Sequence, residues 1–360
     1  MIPVANKYLS NIESYKPGKS KISKLKKVIK LSSNENPLGS SPKALKEYKK
    51  HSKDVFRYAS GDCFELRSTL AKKNKVKTSQ IVCGAGSDEI LSLIAQAYAS
   101  QNDEIIYSKH GFLMYPISAK RVGAKPVAAD EKNLKTDIDA ILKLINKKTK
   151  IIFIANPNNP TGSYLSDSEI DKLVSKTPKN IIIVLDHAYE ELVTAKDYPK
   201  ATRIVKKHPN VIVTRTFSKI YGLASLRIGW CYASQDIIDI LNKVRGPFNV
   251  SGAAQKAALA ALEDDKFLKK SQKHNTKWLK TIDKELSSIP AIKTYPSQAN
   301  FILLDFKDTT IARKVNDALL EKGIILREMS AYHLPTCLRM TVGKQKENLY
   351  VIKTLKQLLK

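Results

Sequence analysis

Short apolar runs alternate along the first two thirds of the chain with longer segments in which apolar residues recur every three or four positions. The runs at 80–83, 104–107, 125–128, 151–155, 181–185, 211–214 and 227–232 predict strands. Several are apolar at consecutive rather than alternate positions, which is the pattern of strands covered on both faces. Such strands separated by helical stretches predict an α/β unit with a mostly parallel central sheet. A helix is expected from Pro42, since proline suits a first helical turn. A long Ala- and Lys-rich helix is expected over about 252–286, and beyond Pro290 come strands near 300–305, 324–327 and 338–342 with helices at about 310–322 and 346–360. The second group predicts a smaller α+β unit. The expected division is an N-terminal arm over 1–40, a large domain over 41–245 and a small domain over 246–360 joined to it by the long helix.

Composition narrows the class. The chain has 360 residues, 42% hydrophobic and 27% charged, which is ordinary globular usage and excludes a disordered, collagenous or coiled-coil chain. The charge is unusual: 62 Lys and Arg against 34 Asp and Glu give +28, which raises a nucleic-acid or anionic-surface binder as a possibility. Only ten of the 62 basic residues are Arg, whereas bidentate reading of phosphate or guanine favours Arg. The excess therefore reads as lysine-rich surface, and no nucleic-acid partner is expected. Four widely spaced cysteines form no CxxC pair and six histidines show no ligand spacing, so no metal is expected. The longest unbroken apolar run has six residues, 257–262, far short of the roughly 20 that a spanning helix needs. With no secretory signal in MIPVANKYLS, the expectation is a cytoplasmic protein with free thiols and no membrane contact.

Candidate chemistry gathers where strands end, since ligands of open α/β sheets sit outside the carboxyl ends of the strands. One strand runs into Gly84-Ala85-Gly86-Ser87-Asp88-Glu89, a second into Asn156-Pro157-Asn158-Asn159-Pro160-Thr161-Gly162, a third into Asp186-His187-Ala188-Tyr189, and a fourth into Thr216-Phe217-Ser218-Lys219. The first lacks the third glycine of a dinucleotide fingerprint. It is either a plain strand-to-helix turn or a helix N-terminus whose free amides at Gly86, Ser87 and Asp88 attract a phosphate. Asp186 alone would be a cap or an ion-pair partner, and Lys219 one lysine among many. Together, with Arg227 eight residues after Lys219, they describe a site for a phosphorylated, protonated heteroaromatic aldehyde.

These motifs, with Thr216-Phe-Ser-Lys219-Ile-Tyr-Gly-Leu-Ala-Ser-Leu-Arg227-Ile-Gly, resemble the fold-type I, pyridoxal-phosphate-dependent aminotransferases. Within them the chain is similar to the histidinol-phosphate aminotransferase family from Leu31-Ser-Ser-Asn-Glu-Asn-Pro37 to Leu338-Arg-Met-Thr-Val-Gly343. The resemblance implies pyridoxal 5′-phosphate as cofactor, with Lys219 forming its Schiff base and shuttling the proton, and Asp186 pairing with the pyridine nitrogen. It places Asn156 and Tyr189 on the phenolic oxygen and Phe112 against the ring, the last competing with a plain core position. The amides of Ser87 and Asp88, the Ser218 hydroxyl and Arg227 would hold the cofactor phosphate, and Tyr58 would reach that of a neighbouring subunit, which implies a homodimer. Arg327, Arg339 and Tyr15 of the arm would hold the substrate's phosphate. The implied reaction moves an amino group between L-histidinol phosphate and 2-oxoglutarate, giving imidazole-acetol phosphate and L-glutamate. Transamination of aromatic amino acids and phosphothreonine decarboxylation are same-fold alternatives, and a basic nucleic-acid-binding protein is a remote one.

Overall fold

The computed structural model describes residues 3–12, 18–22 and 27–360. Its strands in chain order are β1 (Ile29–Lys30), β2 (Ile81–Gly84), β3 (Glu104–Ser108), β4 (Lys125–Ala129), β5 (Glu131–Lys132), β6 (Lys135–Thr136), β7 (Thr149–Ala155), β8 (Ile182–Asp186), β9 (Val211–Thr216), β10 (Gly229–Tyr232), β11 (Lys293–Thr294), β12 (Phe301–Asp305), β13 (Ile324–Ile325), β14 (Arg327–Glu328) and β15 (Cys337–Thr341). Seven of them form a sheet in the order β2-β10-β9-β8-β7-β3-β4. Strands β4, β3, β7, β8 and β9 run parallel, while β10 is antiparallel to both its neighbours. Because β10 reverses between β9 and β2, β2 points the same way as the parallel set.

Consecutive apolar residues in these strands serve two cores, since successive side chains leave opposite faces of a sheet. Ile152, Ile154, Ile183, Leu185, Val211 and Val213 face one core, shared with helices Phe64–Asn74, Asp167–Lys176 and Gly252–Leu262. Ile151, Phe153, Ile182, Val184 and Ile212 face the other, shared with helices Ser87–Tyr98, Met114–Arg121 and Gln235–Val244. With each buried apolar side chain contributing about 1.5–3 kcal/mol, the two-sided burial fixes the sheet between its helical layers.

A second sheet, β11-β12-β15-β14, is antiparallel throughout. Its core takes Trp278, Ile282 and Leu286 from helix Asp265–Ser287, with Val315 and Leu319 from Thr309–Glu321 and Val351 and Leu355 from Gln345–Leu358. Leu31, from the segment expected to be arm, is buried in the same core. The strand expected over 324–327 divides around the buried Leu326, with β13 pairing parallel with β1 and β14 pairing with β15.

The single helix expected over 252–286 is two helices, Gly252–Leu262 and Asp265–Ser287. Asp264 breaks it because its carboxylate caps the second helix, accepting from the Phe267 amide at 3.1 Å. The same carboxylate accepts from Ser41 Oγ at 2.6 Å, and Ser41 caps the helix Pro42–His51, so two helix starts are tied together.

Candidate active site

The parallel register brings the ends of β7, β8 and β9 to one edge, with Ala155 beside Asp186 and Asp186 beside Thr214. Gly84, the last residue of β2, lies opposite Gly229, the first residue of β10. An antiparallel strand starts where its neighbours end, so Arg227, two residues before β10, arrives at the same edge as Lys219. A cavity of about 260 Å3 opens there, lined by Ser87, Asp88, Phe112, Asn159, Asp186, Tyr189, Ser218, Lys219, Arg227, Arg327 and Arg339 among others.

At its floor, Asp186 is 5% exposed and accepts from Thr214 Oγ1 at 2.9 Å and Tyr115 Oη at 3.0 Å. Burial pushes its pKa up to about 6, against the two hydroxyls, which favour the anion, while Asp88 adds to the rise and His187 opposes it. A buried carboxylate that titrates so high is stabilised by a cation placed against it. A protonated ring nitrogen supplies that charge.

Beside it, the Tyr189 hydroxyl accepts from Asn34 Nδ2 at 2.9 Å. Burial raises the Tyr189 pKa to about 12, with Arg339 and Asn34 pulling the other way. The Lys219 ammonium lies 5.6 Å from the centre of the Tyr189 ring. Phe112 reaches the cavity wall and meets Tyr115 edge-on at 5.8 Å.

At one end of the cavity the helix Ser87–Tyr98 begins with Gly86 at φ +84° and no side-chain cap. Its first-turn amides can therefore face an anion. A Cβ on Gly86 would sit 2.5 Å from Arg227 Nη2, and one on Gly229 would sit 2.5 Å from the Ser87 nitrogen, so both glycines keep this cradle open. Arg227, itself in the left-handed region at φ 49°, donates to Ser218 Oγ at 3.3 Å, Ala224 O at 3.2 Å and Asp88 Oδ2 at 3.0 Å. Amides, hydroxyl and guanidinium on one cradle fit a phosphate, and with Asp186 they fit pyridoxal phosphate at both ends. The turn also uses a residue whose role the sequence left open: Glu89, standing where a third glycine would be, accepts from the Ala85 amide at 2.6 Å and from Asn249 Nδ2 at 2.7 Å.

At the other end, Arg339 is 5% exposed and donates to Ser32 O at 2.9 Å and to Asn159 Oδ1, with its guanidinium 5.1 Å from the Phe301 ring centre. Arg327 lines the same end, against Gly18. Tyr15 falls outside the described residues.

Two expected residues do not line this cavity, and of these Tyr58 was expected to act in a neighbouring subunit. Asn156 is buried with both amide groups on the backbone of Leu165, donating to its carbonyl at 3.1 Å and accepting from its amide at 2.9 Å, and does not line the cavity. Asn159 is the amide that does, and its position directly before Pro160-Thr161-Gly162 was the only sequence signal for it. Tyr58 is 85% exposed, stacked at 4.5 Å on Phe248, and is not among the residues lining the cavity of its own chain. Among the described residues no group of His, Cys, Asp and Glu could hold a metal ion, and no helix is long and apolar enough to cross a membrane.

Fold and site together define a pyridoxal-phosphate-dependent enzyme of fold type I. The family described as aminotransferase class I and II matches residues 26–355. A histidinol-phosphate aminotransferase of Rhodopseudomonas palustris (strain TIE-1) is 42% identical over 360 residues, covering 99% of this chain and 98% of its own. That of Pelagibacter ubique (strain HTCC1062) is 45% identical over 347 residues, covering 96% of both. Among solved structures, the Sinorhizobium meliloti histidinol-phosphate aminotransferase in complex with pyridoxal-5′-phosphate superposes with a TM-score of 0.87 at 25% identity, over 92% of this chain and 91% of that one. The chain belongs to the class I and II aminotransferases and, within them, to the family of these histidinol-phosphate aminotransferases.

Proposed function

We propose that the chain transfers the amino group of L-histidinol phosphate to 2-oxoglutarate, giving imidazole-acetol phosphate and L-glutamate, as a step of histidine biosynthesis. The observation that carries this is one cavity lined by two separate groups of anion-binding residues together with Lys219 and Asp186. The first cradle, Ser87, Asp88, Ser218 and Arg227, holds the cofactor phosphate. The second, Arg327 and Arg339, takes the phosphate of one substrate and a carboxylate of the other, since a guanidinium fork accepts both. Tyr15 would join it from the arm.

When bound, the cofactor supplies a conjugated ring that accepts the electron pair left by proton loss from the substrate carbon. Asp186 keeps a proton on the ring nitrogen, which is what makes the ring accept electrons. Tyr189 and Asn159 offer a hydroxyl and an amide to the ring's phenolic oxygen, and Arg339 fixes the orientation of that amide. The Lys219 amine would take the proton from the substrate carbon and return it to the carbon on the far side of the amino nitrogen. Phe112 packs over the ring and excludes water. The smaller unit, which begins after the helix Gly252–Leu262 that packs on the large sheet, closes over the substrate and brings Arg327 and Arg339 to its anionic group.

The working unit is a homodimer in which Tyr58 reaches the partner's cofactor phosphate. Supporting this, Val55, Phe56, Tyr58, Phe64 and Phe248 are large apolar side chains left exposed on the single chain, with Tyr58 and Phe248 stacked on each other. A cytoplasmic location fits four buried cysteines held as free thiols.

Purified protein loaded with pyridoxal phosphate, assayed with 2-oxoglutarate as acceptor and with L-histidinol phosphate, L-tyrosine and L-threonine phosphate in turn, tests the reading. The expected result is kcat/KM highest by at least about tenfold for L-histidinol phosphate. Equal rates with tyrosine, or carbon dioxide release from threonine phosphate, would replace it with one of the other two reactions.

A further inference from the structure

We infer that Tyr115 and Thr214 are positioning residues that hold the Asp186 carboxylate ionised and aimed into the cavity, and so set the pH range over which the enzyme keeps its cofactor. This rests on the cofactor reading above and deepens it. Tyr115 Oη donates to one carboxylate oxygen and Thr214 Oγ1 to the other, at 3.0 and 2.9 Å. The two donors come from different elements, the helix Met114–Arg121 and strand β9. With one hydroxyl on each oxygen, the carboxylate cannot rotate without breaking a buried hydrogen bond, and Asp186 lines the cavity.

Both hydroxyls are themselves fixed. Tyr115 is 0% exposed and its ring lies flat on Phe153 of β7, centroids 4.9 Å apart at 7°. Thr214 is 0% exposed, stands beside Asp186 in the parallel register, and its carbonyl accepts from the His187 amide at 2.9 Å. Neither hydroxyl lines the cavity, so neither touches substrate or cofactor.

The electrostatic need is visible around the carboxylate. Asp88 from the helix Ser87–Tyr98 disfavours the anion, His187 from the same strand end favours it, and the hydroxyls of Tyr189 and Tyr198 lie in the same buried region. Lys219 and Arg227 line the cavity that it faces. Burial is the largest influence and favours the neutral acid, and the two donated hydrogen bonds are the next largest and oppose it. Removing one donor makes Asp186 bind its proton about tenfold more tightly, because a hydrogen bond to a charged group is worth about 1.4 kcal/mol or more.

The test uses the full chain freed of cofactor and titrated with pyridoxamine 5′-phosphate, which has the same ring nitrogen and phosphate but cannot bond covalently to Lys219. Binding a protonated ring nitrogen requires the carboxylate, so affinity falls as pH drops through the pKa of Asp186. For Tyr115→Phe the expected result is about fivefold weaker binding at pH 6, a difference that shrinks by pH 8, and an upward-shifted titration of 13C-labelled Asp186. Thr214→Val, of equal shape and without the hydroxyl, is expected to do the same and carries the test if Tyr115→Phe does not fold. Affinity equal to the parent at both pH values, or weakened equally at both, overturns the inference, the second outcome marking a merely structural role. Failure of the unaltered protein to bind pyridoxamine phosphate at any pH would instead overturn the cofactor reading itself.

Discussion

Adding one methyl group at Gly229 should disarm the cofactor-phosphate cradle without touching a side chain that lines it. Gly229 begins β10, between Gly84 and Thr216 of the neighbouring strands. A Cβ there would lie 2.5 Å from the Ser87 nitrogen, 2.7 Å from the Gly86 carbonyl carbon and 2.9 Å from the Arg215 oxygen. Ordinary contact is about 3.5–4.0 Å, so one backbone or the other must retreat by about 1 Å. All three neighbours are main chain, and no rotamer change relieves them. The crowding itself costs about 1–3 kcal/mol of stability, as overpacked sites do. Moving the Ser87 amide by that distance loses one hydrogen bond to a charged phosphate, worth about 1.5–3 kcal/mol, or roughly 10- to 100-fold in cofactor affinity. Titration of the cofactor-free Gly229→Ala protein with pyridoxal phosphate, followed by visible absorbance, reads the change. Gly246→Ala is the control, because a Cβ there meets nothing within 4 Å. A folded Gly229→Ala protein that binds cofactor within twofold of the parent would refute the cradle.

Other substitutions probe the remaining parts of the site. Lys219→Ala should lower turnover by at least about 1,000-fold, the scale of a lost proton shuttle, while the protein still binds pyridoxamine phosphate; substantial turnover would show another base at work. Arg339→Lys keeps the charge but cannot bridge Asn159 and Ser32 together, so KM for L-histidinol phosphate should rise at least about tenfold, and an unchanged KM would move the anion site elsewhere. In the cofactor-free protein, Asp186 binds its proton more tightly folded than unfolded, with a pKa of about 6 against an ordinary 3.8. Stability should therefore fall by about 2 kcal/mol as pH rises from 4 to 6, and Asp186→Asn should abolish that fall in thermal melts. Glu190 has the opposite sign: burial pushes it up, but Arg215 and His187 outweigh burial and hold it at about 2, so its contribution is present above pH 4.5 and is lost below. Glu190→Gln should flatten the acid limb of the same melts. If the proposed dimer forms, Tyr58→Ala should weaken pyridoxal phosphate binding, and that loss should vanish in protein that sedimentation shows to be monomeric.

Most of the large sheet was legible because a buried strand must be apolar on both faces, and runs such as 151–155 and 181–185 admit little else. Each expected strand of that sheet ends within two residues of its place. The helix break at Glu263–Asp264 was not legible, since aspartate inside a polar helix is unremarkable until Ser41 and the Phe267 amide are found around its carboxylate. The Asn-Pro-Asn-Asn-Pro-Thr-Gly loop was legible as a motif but not in its details. Spacing cannot say which of three asparagines faces the ligand, and the structure puts Asn156 on Leu165 and Asn159 in the cavity.

By itself the sequence determined the chemistry at the strand ends: a carboxylate after one apolar run, a lysine after another, an arginine eight residues on, and glycines where a helix begins. These are local facts, set by which residue follows which. Only the tertiary structure decided what each group can do. The antiparallel insertion of β10 delivers Arg227 to the cradle, and packing from separate elements places Tyr115 and Thr214 on Asp186 and Asn34 on Tyr189. Strand pairing and side-chain packing join residues from 28 to 155 positions apart, and the interactions that set a buried group's charge and direction act through space, where order along the chain carries no information.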